Sequence, residues 1–462
     1  MKLLLLQQYK FTALGPMYIS SYLKSRGHQC SLLIEPLEKD FLKAIIDEKP
    51  DLIGFQVFTG QHQWALQWAS KIKETLEVPI LFGGNHPTHN PDILQHESVD
   101  YICRGEGEKA IADVMDHLKS PQKIKVLKNI NYNPLRNLVD IDKLPFPDRE
   151  LYYKYPSLKD NSIKRFITSR GCPYQCTFCH NHLDMALYKG KGQWARKRDP
   201  ALVIKEIEEV RSKYPLKIVD FSPDDYFFSS TTWAIRFLRL YRAYIGLPFT
   251  LNTRPGSITS RIAWELKSAG CRGVAISVES ADDYLRNDIL KKQTNKKDMH
   301  ESMKQLRSHG ILTKTYNMIG LPGESLKQAL ETVKLNIELK PTWARCAIIS
   351  PYPNTKLWDI GVGRGFLKDV SPEDFSDNYC DDMLFKNEER DQLINLQRFF
   401  PLVVRFPKSL PLVKWLIKWP RNMVFDKLGR LFFGYYAVKY WGYSVRDICK
   451  YGWYFIKTGQ PI

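Results

Sequence analysis

Three cysteines fall within eight positions of the stretch SRGCPYQCTFCHNH, at Cys172, Cys176 and Cys179, and the next cysteine in the chain is Cys271. Thiolates at such short spacing hold soft metals or iron–sulfur clusters. Three readings compete. A structural zinc ion needs four ligands closed into a tetrahedron, with His180 or His182 as the fourth. Buried apolar thiols would be the bland reading, and a loop carrying Gly171 and Pro173 is a poor place for three of them. An iron–sulfur cube on three thiolates leaves one iron without a protein ligand, free to take a small molecule.

The elements that must position this loop are legible around it. The triplet follows RFITS, the first of six strand-like runs between Ile163 and Val370, which continue with KIVDFS, FTLNTR, GVAISVES, LTKTYNMIG and RCAIISP. Strands alternating with helices in this way predict a partial TIM-like (β/α)6 barrel over 163–370, with chemistry at the carboxyl-terminal rim of its strands. Residues 1–140 alternate likewise, through KLLLLQ, CSLLIE, DLIGFQVF, PILFGG and VDYICRG. That pattern predicts an α/β unit with a parallel, Rossmann-like (flavodoxin-like) sheet, whose ligands bind at the strand carboxyl ends. The runs FTG, GGNHPTHNP and RGEGE lie there, rich in glycine that lets backbone approach a ligand. A proline-punctuated connector marks the boundary, giving a linker at 141–162, and 371–462 reads as a helical, basic and aromatic carboxyl-terminal region.

Composition narrows the setting. The opening MKLLLLQQYKF is too short for a signal peptide and reads as a buried strand, so the expected address is cytoplasmic. Nine cysteines in 462 residues do not form a disulfide framework, and Cys271, Cys346, Cys380 and Cys449 read as core or incidental residues. Of the net charge of +18, half lies beyond Pro401, where eleven Lys and Arg face two Asp amid runs such as RLFFGYYAVKYWGY. Such a segment packs its aromatics on the body with its lysines solvated, or rests on an anionic membrane surface; nucleic acid is the weaker reading.

CxxxCxxC with an aromatic, Phe178, before the last cysteine resembles the signature of the radical S-adenosylmethionine (SAM) enzymes. The resemblance implies a [4Fe-4S] cluster on Cys172, Cys176 and Cys179 whose open iron chelates SAM. An electron from a donor such as flavodoxin or ferredoxin then yields a 5′-deoxyadenosyl radical. It further implies that FSPDDYFF places Asp224 near the methionyl amino group, in place of the family's usual Gly-Gly-Glu-like turn. Glu279 is similar to the family's ribose ligand, and Ser277, two positions earlier, shares its strand face. Gly320, Pro322 and Gly323 of NMIGLPGES would form the turn under the adenine, and Arg254 could reach a carboxylate.

The amino-terminal unit resembles the cobalamin-binding domain of one branch of that family, through LGPMYISSYLKSRGH, GGNHPT and RGEGE. Thr59, Gly83 and Gly84 would line the cobalamin slot. No Asp-x-His-x-x-Gly run supplies a lower axial histidine, so the resemblance implies base-off cobalamin, with His28, His62, His86 and His89 as loop or surface residues. Methylthiotransferases carry a second cysteine triplet in this domain, where only Cys30 and Cys103 occur. The expectation is a cobalamin-dependent radical SAM methyltransferase acting on an unactivated carbon or phosphorus centre of a small-molecule or lipid-like substrate. A peripheral membrane contact through the carboxyl-terminal region is expected beside it. The alternatives are a cyclase or rearrangement enzyme on the same scaffold, or a non-catalytic iron–sulfur electron carrier.

Overall fold

The computed structural model describes residues 1–119, 132–133, 135–222, 227–367, 370–371, 374–375 and 383–443. The chain forms two compact units that interleave along the sequence. The first comprises 1–162, 183–196 and 371–377; the second comprises 163–182, 197–370 and 378–462.

In the first unit, β1 (Lys2–Gln7), β2 (Gln29–Ile34), β3 (Leu52–Gln56), β4 (Ile80–Gly83), β5 (Tyr101–Cys103) and β6 (Tyr132–Asn133) form a parallel sheet ordered β2-β1-β3-β4-β5-β6. The four leucines of β1 are buried without alternation, as a central parallel strand covered on both faces requires. All five expected strands are present, and the short β6 extends the sheet beyond them. The order turns back between β1 and β3, the switch point at which open α/β sheets bind ligands.

The second unit holds β7 (Ile163–Arg165), β8 (Ser169–Arg170), β10 (Ile218–Phe221), β11 (Phe249–Thr253), β12 (Cys271–Glu279), β13 (Leu312–Ile319) and β14 (Trp343–Ile348), and β9 (Arg196–Lys197) falls at the boundary between the units. The sheet β7-β10-β11-β12-β13-β14 is wholly parallel, with neighbours in chain order: an open half-barrel. RFITS is not one strand. β7 ends at Arg165, the Phe166 amide makes one last bond to the Asp220 carbonyl at 3.0 Å, and Thr168 instead accepts from the Arg198 amide. Behind the strands, Phe221, Phe237, Tyr241 and Phe249 pack edge-on or tilted in a dry core.

The carboxyl-terminal helices are part of this unit. In the helix Arg390–Arg405, Leu393, Leu396, Phe400 and Val403 recur at helical spacing and bury against Ala344, Cys346 and Ile348 of β14. The helix Met423–Trp441 is capped by Asn422 and ends at Gly442, whose φ of 73° suits glycine. Its Tyr440 ring lies against β12, where a Cβ on Gly273 would come within 2.9 Å of it. Arg272 donates to the Tyr440 and Lys439 carbonyls, a cation at a helix carboxyl end. Beside them Lys314 sits 4.2 Å from the Trp343 ring centroid and donates to Tyr316 Oη at 3.0 Å. Burial, reinforced by Arg345, pushes its ammonium well below the usual range. Among the described residues no helix is long and apolar enough to cross a membrane. Cys271 and Cys346 are buried, as expected, while Cys380 and Cys449 lie outside the described residues.

Candidate active site

The cysteine loop is fixed by its own neighbours. Gly171, at φ 76°, turns the chain out of β8 in a left-handed conformation that glycine adopts at no steric cost. Asn181 clamps the loop back on itself: its Oδ1 accepts from the Cys172 amide at 3.0 Å, and its Nδ2 donates to the Cys172 and Tyr174 carbonyls. His182 Nδ1 lies 3.2 Å from the Cys176 carbonyl, and its Nε2 accepts from the Lys356 amide at 3.2 Å. Both ring nitrogens are therefore committed to backbone, in the tautomer protonated on Nδ1. Thr177 is pinned as well, donating to the Ile289 and Leu290 carbonyls through Oγ1 and N. Cys176 is buried, Cys172 half-buried and Cys179 exposed. Among the described residues no three His, Cys, Asp or Glu side chains converge on one metal-ion position.

Two cations and a carboxylate stand beside the loop. Arg254 stacks on Tyr174 at 3.7 Å, approaches Cys176 Sγ to 3.8 Å and donates to the Lys292 carbonyl. Lys292, buried, donates to Glu279 Oε1 at 2.7 Å and lies 5.6 Å from the Phe178 ring centroid. Burial works against its ammonium, but Glu279 and then Cys176 outweigh that and hold it above the usual lysine range. Glu279 closes β12 at φ 63°. That is left-handed backbone, which a non-glycine residue adopts only under constraint. Its Oε2 is buried without a hydrogen-bond partner. The register slips between Ser277 and Glu279, which face Tyr316 and Asn317 on β13, so the period-two argument placing both on one face does not carry across the bulge. Phe178 packs with Leu290, Leu321 and Leu357.

At the end of β13, Gly320 and Leu321 donate their amides to Glu324 Oε2 at 2.7 and 3.2 Å. Burial pushes the Glu324 carboxyl up to about 8, although both amides oppose the shift, and its Oε1 has no partner. Gly320 has φ 85°, and a Cβ there would overlap the Met383 side chain; Pro322 beside it is buried. The glycine is thus required by the turn and by Met383. Asp224 lies outside the described residues.

In the first unit the glycines differ among themselves. A Cβ on Gly84 (φ 104°) would sit 2.8 Å from the Val57 carbonyl, and one on Gly105 would overlap the Tyr188 hydroxyl. Packing demands both. Gly83 has no such constraint, its nearest neighbour being Cys103 at 3.7 Å. Its bare backbone at the end of β4 suits close approach of a ligand. Thr59 Oγ1 lies 3.1 Å from His86 Nδ1, and the His86 and His62 rings stack at 4.3 Å. Of the histidines expected in loops or on the surface, His28 lies in the turn before β2, but it is buried, as are His62 and His86; His28 pairs with Asp116 and His89 with Asp184.

Residues 166–335 match the radical SAM superfamily model and residues 5–115 match the B12 binding domain model. The chain is a cobalamin-binding-domain radical SAM protein. It is 26% identical over 374 residues to an uncharacterized methyltransferase of Pyrococcus horikoshii, covering 77% of this chain and 79% of that one. It is 24% identical to the anaerobic magnesium-protoporphyrin IX monomethyl ester cyclase of Rubrivivax gelatinosus, covering 92% and 81%. The fold matches the radical SAM methyltransferase TsrM of Kitasatospora setae, solved with cobalamin and a [4Fe-4S] cluster, at TM-score 0.64 and 18% identity over 80% of this chain and 79% of that one.

Such a radical SAM protein uses a [4Fe-4S] cluster, SAM and cobalamin. The side chains described fit all three. Three thiols on a clamped loop, with His182 held by backbone and the His180 ring lying 4.9 Å from that of Tyr352, suit a cube with an open iron. Glu279 Oε2 is an orphaned acceptor suited to a diol, and Gly83 offers backbone free of side-chain crowding at the carboxyl end of β4. Sequence reasoning missed Lys292, Asn181 and Glu324 as site residues, weighed His182 only as a fourth zinc ligand, and gave Arg254 a carboxylate where the structure gives it Cys176 and the Lys292 carbonyl. Asn181 and His182 stand two and three residues after Cys179 and could have been read as clamps of the loop; Lys292 carries no local signal.

Proposed function

We propose that this radical SAM protein is a methyltransferase that transfers a methyl group from SAM to an unactivated carbon or phosphorus centre of a small-molecule or lipid-like substrate. The observation that carries the open-iron part of this reading is the commitment of both His182 nitrogens to backbone, which removes that candidate fourth ligand from the three-thiolate loop. When bound, the cluster and SAM supply a hydrogen-abstracting 5′-deoxyadenosyl radical, and cobalamin supplies the methyl carrier. The chain's own part is to hold and shield. Cys172, Cys176 and Cys179 would hold the cube, with Arg254 and Lys292 offsetting its negative charge. Glu279 Oε2 would accept from the ribose hydroxyls, Ser277 and Asp224 would contact the rest of SAM, and Phe178, Gly320 and Pro322 would flank the adenine side. Thr59, Gly83 and Gly84 would meet cobalamin. A flavodoxin- or ferredoxin-class donor would deliver the electron.

Methylation is supported by the likeness to proteins named methyltransferases together with the cobalamin-binding domain. The likeness to a cyclase over 92% of the chain favours ring formation as a second reading. Anaerobic turnover separates them. Methylation predicts S-adenosylhomocysteine accumulating together with 5′-deoxyadenosine, and 5′-deoxyadenosine alone would decide for cyclisation or rearrangement. A reducible cluster that yields neither product would mark an electron carrier.

A further inference from the structure

The carboxyl-terminal helices present two faces. Inward, Val413, Ile417, Phe425, Tyr436 and Tyr440 are buried in the second unit. Outward, Leu412 and Trp415 lie one turn apart on the short helix Leu410–Leu416, Trp419 follows in the bend after it, and Val424, Leu431 and Tyr435 recur at i, i+7 and i+11 on the helix Met423–Trp441. All six are 48–63% exposed. A helix with one buried stripe needs no second one. Lysines punctuate the outward face: Lys414 and Lys418 are exposed, each directly before a tryptophan, and Lys427 lies three residues after Val424 on its stripe. Between residues 405 and 439 the chain carries eight Lys and Arg against a single Asp. That residue, Asp426, is already held by Arg398 at 2.9 Å.

We infer that this face seats the protein on an anionic phospholipid surface, with Leu412, Trp415, Trp419, Val424 and Leu431 entering the headgroup–acyl boundary and Lys408, Lys414, Lys418 and Lys427 meeting lipid phosphate. The inference rests on the proposed lipid-like substrate for its purpose, not for its geometry. Tryptophan beside aliphatics and lysine is the composition of an interfacial helix. No described helix can span a bilayer, so contact is peripheral. Single-stranded nucleic acid would stack on aromatic faces along a basic groove, and the aliphatic residues on these stripes offer it nothing. A second copy would bring the same cationic face against itself, which repulsion disfavours.

Deleting residues 400–462 is no clean test, because it removes Phe425, Tyr436 and Tyr440 from the core. The full-length protein is instead sedimented with phosphatidylglycerol–phosphatidylcholine vesicles and with phosphatidylcholine vesicles alone. Binding is expected to the anionic vesicles and to fall with added salt. The exposed-site variant Leu412→Glu/Leu431→Glu should lose about tenfold in partitioning, and Lys414→Glu/Lys418→Glu should abolish the preference for anionic lipid. Circular dichroism and cluster absorbance should stay as in the parent. The inference is overturned by parent protein that stays in the supernatant at low salt, or by variants that sediment like the parent. It is equally overturned by a parent dimer that Leu431→Glu disperses without vesicle binding, or by binding to single-stranded RNA that the same variants lose. Reductive SAM cleavage is measured in parallel. Vesicle binding without 5′-deoxyadenosine would count against the reaction alone, and 5′-deoxyadenosine without vesicle binding against this surface alone.

Discussion

Glu279 serves two partners, and the two can be separated by substitution. Its Oε1 satisfies the buried Lys292, while Oε2 is left for a ligand. Glu279→Gln should weaken SAM binding by about tenfold, the cost of one charge-assisted bond, with iron content unchanged. It should also destabilise the fold by about 3 kcal/mol, since a buried ammonium loses its counter-charge. Glu279→Gln/Lys292→Met should restore the melting temperature and leave SAM binding weak; recovery of both would remove Glu279 from the site. Glu324 makes a pH prediction. Its carboxyl titrates near 8 in the fold, against an ordinary 4.5 when unfolded. The unfolded chain therefore releases the proton first, and stability falls as pH rises from about 4.5 to about 8. Glu324→Gln keeps an acceptor for the Gly320 and Leu321 amides and should lose that slope, its advantage in melting temperature growing across the window and levelling above it. The cysteines were legible because ligand spacing is a local property of sequence. Lys292 was not, nor was the approach of Arg254 to Cys176, because both reach that thiol from far along the chain, brought there only by the convergence of parallel strand ends.

Strands of a parallel sheet declare themselves as short apolar runs between turn residues, which is why all five expected in the first unit and all six of the half-barrel are present. The faults within them were not legible. The break after Arg165 and the bulge before Glu279 depend on which carbonyl finds which amide, and no residue type announces either. The carboxyl-terminal helices were legible as helices, but their role was not: one aromatic-rich sequence supplies a core face and an exposed face at once. The docking of Tyr440 on Gly273 gives the test. Gly273→Ala places a methyl group within 2.9 Å of the ring. It should destabilise the second unit by about 1–3 kcal/mol through overpacking. Tyr440→Leu should relieve much of that penalty in the double variant. Additive losses in denaturant titrations would show that helix and strand are not coupled through this contact.

Across the whole molecule, the units do not correspond to one cut in the chain. Residues 183–196 belong with the first unit, where Tyr188 Oη accepts from the Glu106 amide at 2.7 Å and Arg196 pairs with the Glu106 carboxylate. A fragment of residues 1–162 loses both anchors of the 104–106 loop and should melt below a fragment carrying 183–196 on a short linker; equal melting by circular dichroism would show the anchors to be idle. The composition suggested consecutive domains because sequence is read in order, whereas a short segment returning to the first unit after the cysteine loop leaves no compositional mark. The seat of Tyr440 on β12 has a consequence for biosynthesis. A nascent chain that has cleared the ribosome only to residue 400 already displays all three cluster thiols, yet lacks the ring that covers Gly273 and the helix that covers Trp343. Cluster loading at that stage would act on thiols whose supporting strands still lack their covering helix.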